Sequence, residues 1–169
     1  KSTTLISGQV AKVCASKVET ENAFIDYYSK YGFNINRPKT YTPGDFSGIS
    51  DSLIKLKDEG YIGAVIKPSS GRGSIGLTFV DLRRDIKDLE EHLRSALSKQ
   101  ILEELRKGNK VIVQNLVENP YLINGKKVIL RSILTPVVEN GQITNINYIH
   151  SHIRLGIKTY GDNPENEDA

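Results

Sequence analysis

The sequence predicts a mixed α/β (α+β) fold made of antiparallel sheets and amphipathic helices. Three observations carry that expectation. An apolar run, Ala64-Val65-Ile66, delivers Lys67 to a glycine-rich loop and a second strand-like run. A long apolar stripe at helical spacing follows, and an Asn140-Gly141 dipeptide then separates two further strand-like runs. With 169 residues, 38% hydrophobic and 25% charged, the chain has the size and composition of one globular domain or two small lobes.

Taken in order, Ser16-Lys17-Val18-Glu19 has the form of a capping box. Ala23, Phe24, Tyr27, Tyr28 and Tyr31 then recur at helical spacing up to Gly32, which predicts an amphipathic helix with a glycine stop. Arg37-Pro38-Lys39-Thr40 and Thr42-Pro43-Gly44-Asp45 read as an extended segment and a turn. A short helix through Leu53, Ile54 and Leu56 ends near Gly60. The first strand covers Tyr61 to Lys67, and the second covers Leu77 to Val80. Ile86, Leu89, Leu93, Leu97, Ile101 and Leu105 form one stripe, predicting a single helix over residues 83–107 closed by Gly108. Val111 to Val117 reads as a buried strand, Asn119-Pro120 as a break, and Lys127 to Val138 as a long strand. The return strand runs from Gln142 to about Arg154.

A two-residue Asn-Gly loop sets Glu139 opposite Gln142, and counting outward places Arg131 opposite His150. Alternation then gathers Lys127, Arg131, Tyr148, His150, His152 and Arg154 on one face, interspersed with Ile129, Ile133 and Ile146. A polar, cationic cluster on an otherwise apolar face points to anion binding. A solvated sheet face is the plainer alternative.

The glycine loop carries the second chemical signal. Glycines let the main chain approach an anion closely and expose successive amides, while a lysine at the strand end supplies a mobile point charge. Lys67, Ser69, Ser70, Gly71, Arg72, Gly73 and Gly76 therefore read as a phosphate cradle. The stretch is neither a Walker A sequence nor a Rossmann fingerprint, because it lacks the terminal Gly-Lys-Ser/Thr of the first and the helix directly following the second. A glycine-rich hairpin with an exposed lysine would look similar.

Charge and cysteine content narrow the classes. The net charge is +3, yet the last nine residues hold four acids and no base, so residues 1–160 carry 23 basic against 16 acidic residues, or +7. Such a body attracts phosphates or an acidic partner. A single cysteine, Cys14, has no disulfide partner within the chain and reads as a small buried residue. With no apolar stretch near 18 residues, the expectation is a cytoplasmic protein without membrane contact. His150 and His152 alone do not make a zinc set, no nucleophile elbow is present, and no nucleic-acid-binding pattern appears. A chain starting at Lys1 reads as a piece of a longer protein.

The order of parts resembles the ATP-grasp superfamily: a strand ending Ile66-Lys67-Pro68, a small-residue glycine loop and strand, a long helical stretch, then a strand ending Gln114-Asn115-Leu116-Val117. Val113 to Ile123, followed by Gly125-Lys126-Lys127-Val128-Ile129-Leu130-Arg131, is most similar to the tubulin–tyrosine ligase-like branch. The resemblance spans about Lys17 to Arg154. It implies two lobes of antiparallel sheet with a nucleotide cleft between them, and ATP and Mg2+ as cofactors. Lys67 would contact the phosphates under a loop running from Ser69 to Gly76. Gln114, Asn115, Leu116 and Val117 would form the hinge that reads the adenine edge. Lys127 would lie on the nucleotide, Arg131 would steady the γ-phosphate and the acyl phosphate, Arg154 would match a later family arginine and Lys17 the first nucleotide lysine, and His150 joins this nucleotide-contacting set from the hairpin face.

The implied activity is ATP-dependent carboxylate–amine ligation, adding an amino acid to a protein or peptide carboxylate, with an acidic tail such as tubulin's as partner. Ile129 stands where the family usually has aspartate, and no magnesium ligands can be assigned within the chain. Two alternatives stand beside this reading: a ligase acting on a small metabolite or peptide, and a non-catalytic nucleotide-binding or scaffold module. The corresponding organisation is an opening helix and connection over 1–45, a small glycine-loop lobe over 46–108, a hinge and incomplete larger lobe over 109–160, and an acidic, disordered tail over 161–169.

Overall fold

A computed structural model of the chain describes residues 13, 15–32, 37–70, 75–140 and 142–156. Cys14, Gly71, Arg72, Gly73, Gly141 and the acidic tail lie outside the described residues. The chain divides at Glu118 and Asn119 into two compact units. That boundary coincides with the Asn119-Pro120 break, and it places residues 109–118 with the preceding unit.

Among the described residues, the first unit has the helices α1 (Lys17–Tyr31), α2 (Phe46–Asp58), α3 (Ile86–Ala96) and α4 (Lys99–Arg106). Its strands are β1 (Thr40–Tyr41), β2 (Gly63–Lys67), β3 (Thr78–Asp81) and β4 (Ile112–Asn115), in an antiparallel sheet ordered β1-β4-β2-β3. Helix starts follow local chemistry. The Ser16 hydroxyl accepts the Glu19 amide at 3.2 Å, and the Asp45 carboxylate accepts the Gly48 amide at 2.7 Å. At the end of α1, Gly32 takes a left-handed φ of 66° and returns its amide to Tyr28, a conformation that would strain any side chain with a Cβ.

One sheet face is roofed by helices. Ile49, Leu53 and Leu56 of α2, Leu93 of α3 and Ile101 of α4 pack with Leu97 on Ala64, Ile66, Val80 and Val113, all of them buried. Strand alternation assigns the other face to Thr40, Gln114, Val65, Lys67 and Phe79, because Thr40 and Val65 both stand opposite Gln114, and Phe79 opposite Val65.

Two helix expectations need correction. The stripe from Ile86 to Leu105 forms two helices rather than one, broken at Leu97 and Ser98. Leu97 adopts φ −58°, ψ 127°, and Ser98 starts α4 as its N-cap. The hydroxyl of Ser98 is spent on the Ile101 amide and the Gly76 carbonyl, and its amide on the Thr78 hydroxyl, so tertiary contacts to β3 and the preceding turn displace helix continuation. Leu93, Leu97 and Ile101 stay buried across the break, which is why one periodic stripe spans both helices.

In α1 the aromatic face is not the buried one. Val18 and Glu21 are buried, whereas Phe24, Tyr27 and Tyr31 are exposed. The rings pair along the helix instead: Phe24 stacks on Tyr28 at 6.2 Å, Tyr27 tilts onto Tyr31 at 4.6 Å, and the Arg37 guanidinium lies 4.0 Å from the Phe24 centroid. Arg37 also forms an ion pair with Glu21, which explains how an acid comes to be buried there.

The second unit is a three-stranded antiparallel sheet, β5 (Leu122–Ile123), β6 (Lys126–Glu139) and β7 (Gln142–Leu155), in that order. Glu139 pairs with Gln142 as the Asn-Gly turn requires, and Asn140 takes φ 52°. Farther out the register moves. Shifts between Val137 and Val138 and between Ile133 and Leu134 each leave one extra residue on β7, so Arg131 stands opposite His152 rather than His150. Two one-residue shifts restore the original parity. Lys127, Ile129, Arg131 and Ile133 therefore still share a face with His150, His152 and Arg154, whereas Tyr148 and Ile146, opposite Leu134 and Pro136, move to the other side.

Candidate functional site

In the first unit, chemistry collects on the sheet face opposite the one that packs on α2, α3 and α4. Lys67 ends β2 there, and its ammonium donates to the Gln114 carboxamide oxygen at 2.7 Å. Gln114 in turn donates through its amide nitrogen to the Thr40 hydroxyl at 2.8 Å, and Thr40 donates to the Pro38 carbonyl at 3.0 Å. Three neighbouring strands thus hold one lysine through a single directed chain of hydrogen bonds.

Lys17 is carried to the same strand end from 50 residues away in sequence. Its amide donates to the Ser69 carbonyl at 2.9 Å, its ammonium donates to the Pro68 carbonyl at 3.2 Å, and the hydroxyls of Ser16 and Ser69 meet at 2.9 Å. The start of α1 is therefore docked on the first residues of the glycine loop. Burial lowers the pKa of Lys17 from its ordinary value, and nearby Glu104 offsets part of that shift.

The described ends of the loop are both tied to α4 and its C-terminal edge. Ser70 donates to Glu104 at 2.7 Å, and Asn109 holds the other oxygen of that carboxylate at 2.8 Å. At the far end, Ser98 donates to the Gly76 carbonyl at 2.7 Å. Gly76 has φ 79°, and a Cβ there would lie 3.0 Å from Gln100 Cβ, so glycine is required both for backbone and for space. A depression of about 400 Å3 opens beside Ser16, Ser69 and Ser70, but Glu19 and Glu104 line it too. Two carboxylates against one cation, Lys110, make it a poor seat for phosphate.

The hinge stretch is partly spent on the sheet. The Asn115 amide donates to Lys39, the Leu116 amide to Gly63, and the Leu116 carbonyl accepts the Asn115 side chain. Those groups hold β4 in place, which narrows what Gln114 through Val117 can offer an incoming base.

In the second unit, the cationic face has Arg131 beside His152, Arg154 opposite Ile129 and His150 opposite Ile133, with the two imidazoles 6.3 Å apart. Lys127 is half-buried at the outer end, and desolvation lowers its pKa. The reverse face is apolar and exposed, with Leu130, Leu134, Tyr148 and Ile153 all more than half exposed. Sequence patterning finds the cations but assigns Tyr148 to the wrong side, because a bulge leaves no mark in alternation.

Thr40, Ser98 and Glu104 are the contributors that sequence reasoning overlooks. Their roles depend on strand order and helix placement, and only the N-cap form of Ser98 before a helical run is visible locally. Among the described residues no group of three or more His, Cys, Asp or Glu side chains could hold a metal ion, and no helix is long and apolar enough to cross a membrane. No protein-family model matches the chain, and no curated protein matches it either.

Proposed function

We propose that the chain carries the phosphate-contacting part of an ATP-dependent carboxylate–amine ligase of ATP-grasp type. The observation that supports it most directly is Lys67, fixed by Gln114 at the end of β2 where the glycine loop begins, with the start of α1 and its Lys17 docked on the next residues. A cation at a strand end, followed by small residues, matches the chemistry of triphosphate binding: the ammonium offsets charge while flexible main chain approaches the oxygens. In this reading Lys67 and Lys17 bind and orient the phosphates. Arg131, His150 and Arg154, with Lys127, form the anion-contacting face of the second unit. Ligases of this class use ATP to turn a carboxylate into an acylating agent that an amine then attacks. The +7 charge of residues 1–160 favours an acidic protein or peptide as that carboxylate, tubulin tails included.

Among the described residues no group of three or more His, Cys, Asp or Glu side chains could hold a metal ion, so no step is assigned to magnesium. A non-catalytic nucleotide-binding role is the second reading, favoured by Ile129 in the place of the family's usual aspartate.

Titration calorimetry with ATP in the presence of Mg2+ tests the binding part. Saturable binding, weakened about tenfold or more in Lys67→Ala, supports the reading, on the scale of one charge-assisted contact. Absence of saturable binding, or an unchanged affinity in Lys67→Ala, sinks it. ADP release that requires an acidic peptide separates the ligase from the scaffold.

A further inference from the structure

We propose that Thr40 is a positioning residue for Lys67: its hydroxyl, by accepting from the Gln114 amide nitrogen, locks the carboxamide with its oxygen held on the lysine. This inference rests on the reading of Lys67 as a phosphate-contacting cation.

A carboxamide has one accepting end and one donating end of nearly the same shape, so its orientation is set by its neighbours. Here the neighbours leave one solution. The Pro38 carbonyl can only accept, and Thr40 has a single proton, which it donates to that carbonyl at 3.0 Å. Toward Gln114 the hydroxyl then presents lone pairs alone, so the contact at 2.8 Å must come from the Gln114 amide nitrogen. The carboxamide oxygen is thereby turned to Lys67, which it meets at 2.7 Å. Reversal would set an NH2 group against an ammonium, two donors facing each other.

Sheet geometry makes this possible. Thr40 and Val65 both stand opposite Gln114, on either side of β4, and Lys67 lies two residues beyond Val65 on the same face. A lysine held in this way meets an anion with less ordering cost than one on a free stem.

The test uses Thr40→Val, which removes the lone pairs at nearly constant volume, and Thr40→Ser, which keeps them. Two quantities are read on the full chain: affinity for ATP, and the rate at which an activated ester acylates Lys67 relative to the other lysines, followed by mass spectrometry. Thr40→Val is expected to weaken nucleotide binding about tenfold, the scale of one lost hydrogen bond supporting a charged group. It should also change the Lys67 acylation rate several-fold while other lysines keep theirs, and Thr40→Ser should restore both. A Gln114→Glu background supplies the decisive control, because a carboxylate accepts at both ends and has no orientation to lose. There, Thr40→Val should leave Lys67 unchanged. The proposal is overturned if Thr40→Val leaves Lys67 acylation at the wild-type rate, if Thr40→Ser is as damaging as valine, or if valine acts equally in the Gln114→Glu background. If the wild-type chain binds no nucleotide while the acylation pattern holds, the positioning role stands and the nucleotide reading falls.

Discussion

Ser98 donates its hydroxyl proton to the Gly76 carbonyl across 2.7 Å, and the same oxygen accepts the Ile101 amide at the start of α4. One side chain thus ends one helix, begins the next and fixes the far end of the glycine loop. Ser98→Ala removes an N-cap and a tertiary bond together. The expected loss is about 1 to 2 kcal/mol of unfolding free energy, at the upper end of the capping range. Urea denaturation checks it; a midpoint equal to that of the wild type would mean that the break at Leu97 is held by packing alone.

Asp81 gives the first unit an acid-sensitive contact. Arg83 reaches it through two guanidinium bonds of 2.9 and 2.7 Å, and this pairing holds the carboxyl below its ordinary value of 3.8, with burial working the other way. A folded carboxyl with a depressed pKa binds protons less readily than the unfolded one. Its contribution is therefore complete above the unfolded value and disappears as pH falls through the lower, folded value. The stability gap between the wild type and Asp81→Asn should be constant from neutral pH to about pH 5 and should close below about 3.8, staying under about 1 kcal/mol because Arg83 is half-exposed. Urea titrations at pH 7, 5 and 3 measure it. A gap as large at pH 3 as at pH 7 would contradict the assignment.

The two preceding contacts also mark what a reader of the sequence can and cannot find. Ser16, Asp45 and Gly32 act on residues within four positions, so their cap chemistry is legible directly. Asn140 fixes a turn for the same reason. Ser98 breaks a helix through Gly76 and Thr78, 22 and 20 residues earlier, and no local rule reports such a partner. Lys67 is visible as a strand-end cation, whereas Thr40 becomes relevant only once β1 is known to flank β4. The aromatic stripe of α1 misleads because period alone does not distinguish rings that pack on a core from rings that pack on one another.

The apolar side of the β6–β7 hairpin has a physical consequence in solution. Leu130 and Ile153 stand opposite each other there and are 64% and 60% exposed, so an apolar pair faces water on an open sheet, with the Ser132–Ser151 pair between it and Leu134 and Tyr148. Replacing both with lysine should reduce concentration-dependent association and the binding of a fluorescent apolar dye. Unit 1 should keep its stability within about 0.5 kcal/mol, as expected for surface changes outside it. Sedimentation velocity over a range of concentrations provides the comparison; equal association by the wild type and the double variant would show that this face is not the adhesive one.

The register around Arg131 decides which imidazole it can act with. Directly opposed residues in an antiparallel pair have Cβ atoms roughly 4.5–5.5 Å apart, while diagonal ones stand roughly 7–8 Å apart. A disulfide needs about 3.5–4.5 Å between Cβ atoms, so only an opposed pair can close one with a small backbone adjustment. With Arg131 opposite His152, the pair Arg131→Cys with His152→Cys should cross-link under mild oxidation. Arg131→Cys with His150→Cys should remain reduced. Cys14→Ser in both variants removes the chain's only other thiol. Peptide mapping of the oxidised protein distinguishes the outcomes. Cross-linking to position 150 in preference to 152 would show that the strand runs without the two bulges and would return Tyr148 to the cationic face.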